Sequence, residues 1–515
     1  MIYFMTNTLR IISFLVLLST SSCSLFRNST KDDKKIEVIF VQVNDVYEIA
    51  PLAGGKEGGM ARVASLKNKY KQKNQNTFLV MAGDFLSPSV YNSLQYQGKR
   101  IRGKQMIDAM NAAGMNLAVF GNHEFDINEA ELLERINESE FQWIASNTFH
   151  KQKDGVTPFK KNGKALPKTF VLQVRDADGT TAKIGLIGIT LPFNQADYVS
   201  YTDPLQTAKE VYNSLKDSVD AVVAITHQLI EDDIKLANEI PALTLILGGH
   251  EHDMRFENVG NVYITKAHAN AKSAYVVKLT INKKRGKVKV DPKLEYLGED
   301  IPFDSTTQAV VNKWVDIADK SFASLGFDAK RVVLRTGEAL DGRESSVRSK
   351  PTNLTRLIAD AIKEAAPQAD VVLMNSGSIR VDDILPMPAT EYDIIRTLPF
   401  GGGIREVEMR GSLLIKTLEQ GKKNIGNGGF LIYNDEVNYD AAANTWKLKG
   451  NALDPSKTYR VALADFLLTG KEANMEFLNE NNPDIIKVFP AEKSLSNPKS
   501  DIRLALIRYM EKLNR

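Results

Sequence analysis

His250 and His252 stand one residue apart in GGHEH, directly after the apolar run LTLIL. The chain has 515 residues and only six histidines, so two in one short stretch suggest a place that needs imidazole. Imidazole is the commonest protein ligand for transition metals, and it exchanges protons near neutral pH. Other short apolar runs end in groups of the same kind. KIEVIFVQV is followed by Asn44 and Asp45, TFLVMAG by Asp84, NLAVFG by Asn122, His123 and Glu124, and DAVVAIT by His227. Four of the six histidines belong to this set, and His150 and His268 lie outside it. One Asp in such a place is an ordinary cap or turn residue. Five run ends that all carry possible metal ligands call for a shared purpose.

The donors are carboxylate, amide and imidazole. They include no thiolate, because the sole cysteine is Cys23, far upstream. Such a set suits Mn²⁺, Fe, Co²⁺ or Zn²⁺ without choosing among them. Asp45, Asp84, Asn122, His227, His250 and His252 are too many for one tetrahedral ion and fit two that share a carboxylate. Two ions roughly 3.5–4 Å apart clamp the attacking and leaving sides of a phosphoryl displacement, and one acidifies the attacking water.

These groups need elements that deliver them to one place. The apolar runs have strand length and are rich in β-branched residues. Between several of them lie the helical patterns ARVASLKNKYKQ, KQMIDAMNAAG and INEAELLERIN. This rhythm predicts an α/β domain with both sheet faces covered. In such sheets the carboxyl ends of strands gather on one edge. Gly248 and Gly249 let the chain turn there without a Cβ in the way. The rhythm ends near residue 300, after the charged strand-like stretch AYVVKLTINKKRGKVKVDPKLEYL. Residues 305–325 have helical periodicity and predict a link to a second domain. That domain has its own helix pattern (TNLTRLIADAIKEAAP), strand pattern (ADVVLMNSG) and glycine-rich turns (LPFGGGI, GNGGF). No internal repeats are evident.

Hydrophobic residues are 43% and charged residues 25%, as in a globular protein. The formal net charge is +3 with basic residues spread out, which argues against a nucleic-acid partner. Residues 1–23 differ from the rest. Arg10, the core IISFLVLL and the small residues STSSC describe an export signal, too short to span a bilayer. The stretch resembles a bacterial lipobox, with Thr20 where Leu is usual. The expectation is an exported protein of the cell envelope or periplasm, lipid-anchored at Cys23. Residues 24–35 (SLFRNSTKDDKK) then form a polar tether.

ND at 44–45, GD at 83–84, GNHEFD at 121–126, TH at 226–227 and GGHEH at 248–252 resemble the motifs of calcineurin-like metallophosphatases. More narrowly they resemble the 5′-nucleotidase family, and the likeness continues to the end of the chain. The resemblance implies an α/β protein in two domains. These are an N-terminal four-layer αββα metallophosphatase domain (36–303), joined by a linker helix (304–329) to a C-terminal α/β 5′-nucleotidase substrate-binding domain (330–515). It implies two divalent metal ions: Mn, Zn, Fe, Co or Mg. Asp84 would bridge them, Asn122, His227 and His250 would complete one site, and Asp45 and His252 would belong to the other. His123 would face the phosphate, oriented by Asp126. The family usually has a histidine where NDVYEI puts Tyr47. Tyr47 would bind as phenolate, hydrogen-bond to a metal-bound water, or leave the first site weak.

In the second domain ESSVRSKPTNLTRLIADA and NSGSIR resemble substrate-facing family motifs. Arg348 and Arg380 would grip phosphate through the planar guanidinium fork, with Asn375 helping. LPFGG and ADFL put Phe400 and Phe466 where the family stacks a nucleobase. The family's GGDGF, whose Asp binds ribose hydroxyls, is here TGKEANMEF, with Glu472 in that place. The implied activity is removal of phosphate from nucleoside 5′-monophosphates. UDP-sugar hydrolysis and 2′,3′-cyclic nucleotide cleavage share these motifs, and a nucleotide-binding lipoprotein with a failed first metal site is the non-enzymatic alternative.

Overall fold

The computed structural model describes residues 32–514. The export signal, Cys23 and most of the tether lie outside the described residues. Lys35, at the end of the tether stretch, already opens the first strand, and Asp33 N–H donates to Asp178 at 3.0 Å.

The first domain holds two six-stranded sheets. Strands β1 (Lys35–Val43), β2 (Thr77–Ala82), β3 (Leu117–Val119) and β4 (Gln142–Trp143) run parallel. β5 (Thr169–Arg175), β6 (Thr181–Thr190), β7 (Ala221–His227), β8 (Leu245–Gly249), β9 (Arg255–Val259) and β10 (Val262–Lys266) form the other sheet. β11 (Ser273–Asn282) and β12 (Lys287–Tyr296) complete the first, whose order is β12-β11-β1-β2-β3-β4. The second has the order β5-β6-β7-β8-β10-β9, with β6, β7, β8 and β10 parallel.

The apolar run Val38–Val41 of β1 has a reason. Ile36, Val38 and Phe40 point into the layer between the sheets, while Ile39, Val41 and Val43 pack outward against helices. A strand buried on both faces has no polar side to show. Helices α1 (Met60–Lys71), α2 (Lys104–Ala112) and α3 (Glu129–Glu138) cover the first sheet through residues such as Val63, Met106 and Leu132. α4 (Pro204–Leu215) and α5 (Ile230–Glu239) cover the second through Val211 and Leu236. The result is four layers, αββα.

Helix α6 (Ser305–Ser324) follows, capped by Asp304, which accepts from Thr307 N–H. Trp314 packs on Tyr96 of the first domain with ring centroids 5.0 Å apart, and Phe322 lies 6.5 Å from Tyr392 of the second. One apolar cluster therefore runs through this helix from domain to domain.

The second domain is built on a five-stranded mixed sheet. Its strands are β13 (Val371–Asn375), β14 (Ile404–Arg410), β15 (Leu431–Tyr433), β16 (Thr458–Ala464) and β17 (Ile485–Val488), in the order β15-β13-β16-β14-β17. Helices Asn353–Ala365 and Ile502–Leu513 pack on one face, and Gly411–Lys423 packs on the other.

Candidate active site

Parallel pairing within each sheet brings the informative strand ends to one edge. Asp45 follows β1, Asp84 follows β2, Asn122 follows β3, His227 ends β7, and His250 follows β8. Close approach of backbone segments at this edge, between the sheets and between neighbouring strand ends, requires glycine. A Cβ on Gly249 would sit 2.3 Å from Ala82 O, and one on Gly121 would sit 2.1 Å from Asp84 Oδ1. Asp45, Asp84 and His250 all have left-handed backbone, with φ of 53°, 56° and 93°. Non-glycine residues rarely take this conformation, and strain of this kind collects at functional sites.

One atom each from Asp45, Asp84 and His227 fall within 4.8 Å of one another, all buried. His227 Nδ1 lies 2.8 Å from Ala82 O and donates to it, which turns Nε2 toward the carboxylates. That Nε2 is 3.1 Å from Asp84 Oδ2 and 3.9 Å from Asp45 Oδ1. His250 flanks the group, its ring centroid 5.3 Å from that of His227 and its N–H donating to Asp45 Oδ2. His252 Nε2 is 3.6 Å from Asp45 Oδ1 and 3.0 Å from the Tyr47 hydroxyl oxygen, which lies 3.3 Å from Asp84 Oδ2.

Whether these residues fit a metal can be tested on their unmet hydrogen-bonding capacity. Asp45 Oδ1, Asn122 Oδ1 and His227 Nε2 are buried without a hydrogen-bond partner among the described residues. Buried polar atoms are normally paired, and two carboxylates brought together in a sealed site are costly. Divalent cations would satisfy both demands, so the donor set fits them.

The charges are balanced here by the imidazoles. Burial opposes protonation of His227, but Asp84 and Asp45 outweigh it and lift its pKa to about 9. Burial likewise opposes protonation of His123, and Asp126 with Asp84 raises it to about 9. Burial and the neighbouring His227 push His250 down to about 3. Burial, reinforced by the Asp84 and Asp45 charges, drives the Tyr47 phenol well above its usual value. The carboxylates thus favour the charged form of His227 and His123, while His250 stays a neutral donor.

His123 Nδ1 lies 2.7 Å from Asp126 Oδ2. Asp126 is held in turn by Ser87 Oγ at 3.1 Å and Asn194 Nδ2 at 3.0 Å. Two acidic residues beside the candidate ligands have other work. Glu124 accepts the N–H groups of Asp84, Phe85, Leu86 and Gly121, which fastens the loops after β2 and β3 to each other. Glu251 accepts from Ile230 N–H and from Lys266 Nζ, and fully buried Lys266 also pairs with Asp233 at 2.9 Å. Nothing in the motif spellings distinguishes these roles from ligation. Lys266, at the end of the run VYIT, is the only hint that a buried cation sits below.

Across the cleft Arg348, Asn375, Arg380, Phe400, Phe466 and Glu472 line one cavity of about 1200 Å³. Phe400 is 68% exposed and Phe466 40%, so neither is a core residue. The Nε atoms of Arg348 and Arg380 are buried without partners among the described residues. Arg380, which lines this cavity, brings its Nη2 to 3.7 Å from Asp126 Oδ2 of the first domain. Glu472 is engaged already: Asn375 Nδ2 donates to it at 2.8 Å and Ala473 N–H at 2.9 Å. Arg405, which sequence reasoning did not single out, lines the same cavity and pairs with Glu480 at 3.1 Å.

Comparison with known proteins agrees with this division. Residues 39–254 match the family described as calcineurin-like phosphoesterase, and residues 332–480 match the 5′-nucleotidase C-terminal domain. The trifunctional nucleotide phosphoesterase protein YfkN of Bacillus subtilis is 24% identical over 81% of this chain, which spans only 31% of that protein. A 5′-nucleotidase of Bos taurus is 25% identical over 80% of this chain and 78% of its own. The crystal structure of a 5′-nucleotidase precursor from Thermus thermophilus has a TM-score of 0.67 at 21% identity. It covers 93% of this chain and 97% of its own, and so shares the two-domain fold. The chain thus joins a calcineurin-like phosphoesterase domain to a 5′-nucleotidase C-terminal domain and is a phosphoesterase hydrolase.

Proposed function

We propose that the protein removes phosphate from nucleoside 5′-monophosphates outside the cytoplasm, held to the membrane by a lipid on Cys23. The division of labour follows the two domains, which we separate at residues 304–329. Asp84 would bridge two divalent ions, with Asn122, His227 and His250 on one and Asp45 and His252 on the other. When bound, such a pair supplies an acidified water and neutralises phosphate charge. His123, steadied by Asp126, faces the phosphate and stabilises negative charge as it builds in the transition state. Arg348 and Arg380 grip the phosphate oxygens, with Asn375 beside them, and Phe400 and Phe466 stack the base. Tyr47, whose hydroxyl lies between Asp84 and His252, would act as a hydrogen-bonding phenol rather than replace the family's histidine as a ligand.

The observation that supports this reading most is the 3.7 Å approach of Arg380 to Asp126. It links one arginine of the cavity to the candidate catalytic pair. A second substrate class has its own support. The cavity of about 1200 Å³ exceeds the roughly 300–1,000 Å³ usual for one small ligand. That room favours a nucleoside diphosphate sugar as a further substrate. Among the described residues no helix is long and apolar enough to cross a membrane, so the proposed attachment rests on the N-terminal sequence.

The test is phosphate release from AMP, UMP, UDP-glucose and 2′,3′-cyclic nucleotides after chelation and readdition of single metals. Release from AMP and UMP that vanishes in His123→Ala supports the reading. Tight nucleotide binding with no turnover in any metal overturns it in favour of a binding protein.

A further inference from the structure

The segment 380–383 leaves the second domain and touches the first at three points. Arg380 reaches Asp126, as described. Asp382 Oδ2 lies 2.8 Å from His252 Nδ1. Asp383 receives two 2.7 Å bonds from Lys272 Nζ. Asp382 is fixed from its own side as well, because its other carboxylate oxygen accepts the Glu344 N–H. Its backbone has φ of 37°, in the left-handed region that aspartate seldom occupies.

The consequence falls on His252. Both of its ring nitrogens are engaged, and by different domains. Nδ1 faces Asp382, while Nε2 faces the Tyr47 hydroxyl at 3.0 Å and Asp45 Oδ1 at 3.6 Å. A carboxylate on one imidazole nitrogen fixes the tautomer, the ring orientation and the basicity of the other nitrogen. With Nδ1 engaged by Asp382, Nε2 is the nitrogen left facing the first-domain cluster, the one that would offer its lone pair to a metal. Asp383 cannot take over this role, since it is committed to Lys272 and lies 3.4 Å from Arg396.

We propose that Asp382 is a positioning residue for metal binding: a second-domain carboxylate that orients His252, so that this metal site is complete only while the domains are docked. The inference rests on the assignment of His252 as a ligand made above. It makes the substrate-binding domain a contributor to metal affinity. By linkage, whatever stabilises the docked arrangement strengthens metal binding, and the metal favours docking to the same degree.

The experiment is Mn²⁺ titration of the full chain, stripped of metal, in competition with a chromophoric chelator. Wild type, His252→Ala, Asp382→Asn and Asp382→Ala are compared, with the melting temperature of each metal-free protein as a folding control. His252→Ala should lose or weaken one class of site. Asp382→Ala should weaken that same class by about 10–100-fold and leave the other class unchanged. Asp382→Asn should fall between, because its amide oxygen still accepts the Nδ1 proton without the charge. If His252→Ala loses a site and both Asp382 variants bind Mn²⁺ as wild type does, the positioning role is overturned. If His252→Ala itself binds as wild type does, the ligand assignment fails instead, and the two failures are distinguishable.

Discussion

Asp45, Asp84 and His227 are at most 1% exposed, whereas Phe400 and Phe466, across the same cleft, are 68% and 40% exposed. The difference follows from what carries each set. The first three sit where parallel strands of two packed sheets end, under glycines that allow no Cβ. Phe400 sits in the turn after helix Glu391–Thr397 and Phe466 in the short 3-10 helix Asp465–Leu468, both with their rings uncovered. A buried cluster holds its geometry before any ligand arrives, which is the condition for electrostatic stabilisation without reorganisation. An exposed aromatic pair has geometry only once it is occupied. On the proposed assignment, the half that would do the chemistry is preorganised and intolerant of change, and the half that would recognise the substrate is open to different leaving groups.

Removing metal should give the largest effect and should be confined to the first half. Chelation is expected to reduce turnover to background, and readdition should restore it. Readdition at a hundredfold excess over Kd should also raise stability by ~2.7 kcal/mol for each site filled, read as a rise in melting temperature. Asp84→Ala should abolish that rise, and Phe400→Ala should keep it in full. A rise of equal size in Asp84→Ala would break the comparison, because the buried cluster would then not be where the ions sit.

His123→Ala comes next. Loss of one preorganised donor to a developing anion costs about 10²–10³ in kcat. Here the loss should appear in kcat with KM little changed, since His123 is assigned to charge that develops during the reaction. A change confined to KM would move His123 to the recognition half. Phe400→Ala and Phe466→Ala should behave in the opposite way. Base stacking is worth about 1–3 kcal/mol, and for rings so exposed the lower end applies, near a fivefold rise in KM at unchanged kcat. Substrates without a base should be unaffected.

The same contrast sets what was legible in the sequence. The run KIEVIFVQV announced a strand buried on both faces, and β1 packs Phe40 inward and Val41 outward. Asp45, Asp84 and His227 could be anticipated to meet because parallel strands end at a common edge. Glu124 and Glu251 could not be told from ligands, because their partners are backbone N–H groups and a lysine brought in by tertiary packing. Asp382 was invisible for a stronger reason. It lies 130 residues from His252, and only the docking of the second domain onto the first joins them. Arg405 carried no motif at all, and its place in the cavity depends on how β14 pairs with β16.

Glu472 offers the smallest effect and the finest test of the recognition half. Its carboxylate accepts from Asn375 Nδ2 and Ala473 N–H, so part of its hydrogen-bonding capacity is already used within the protein. Glu472→Asp withdraws the carboxylate by one methylene and should cost the equivalent of one neutral hydrogen bond, about 0.5–1.5 kcal/mol. The informative quantity is how that cost is distributed over substrates. If the side chain only steadies Asn375, KM should rise equally for AMP and for its 2′,3′-dideoxy analogue. If it binds the ribose diol, AMP should suffer and the dideoxy compound should not. We expect the equal rise, because Asn375 lines the cavity and would be released for any substrate. An effect on AMP alone would mean that the longer side chain keeps the ribose contact of the family's aspartate, and the recognition half would then be more rigid than its exposed phenylalanines imply.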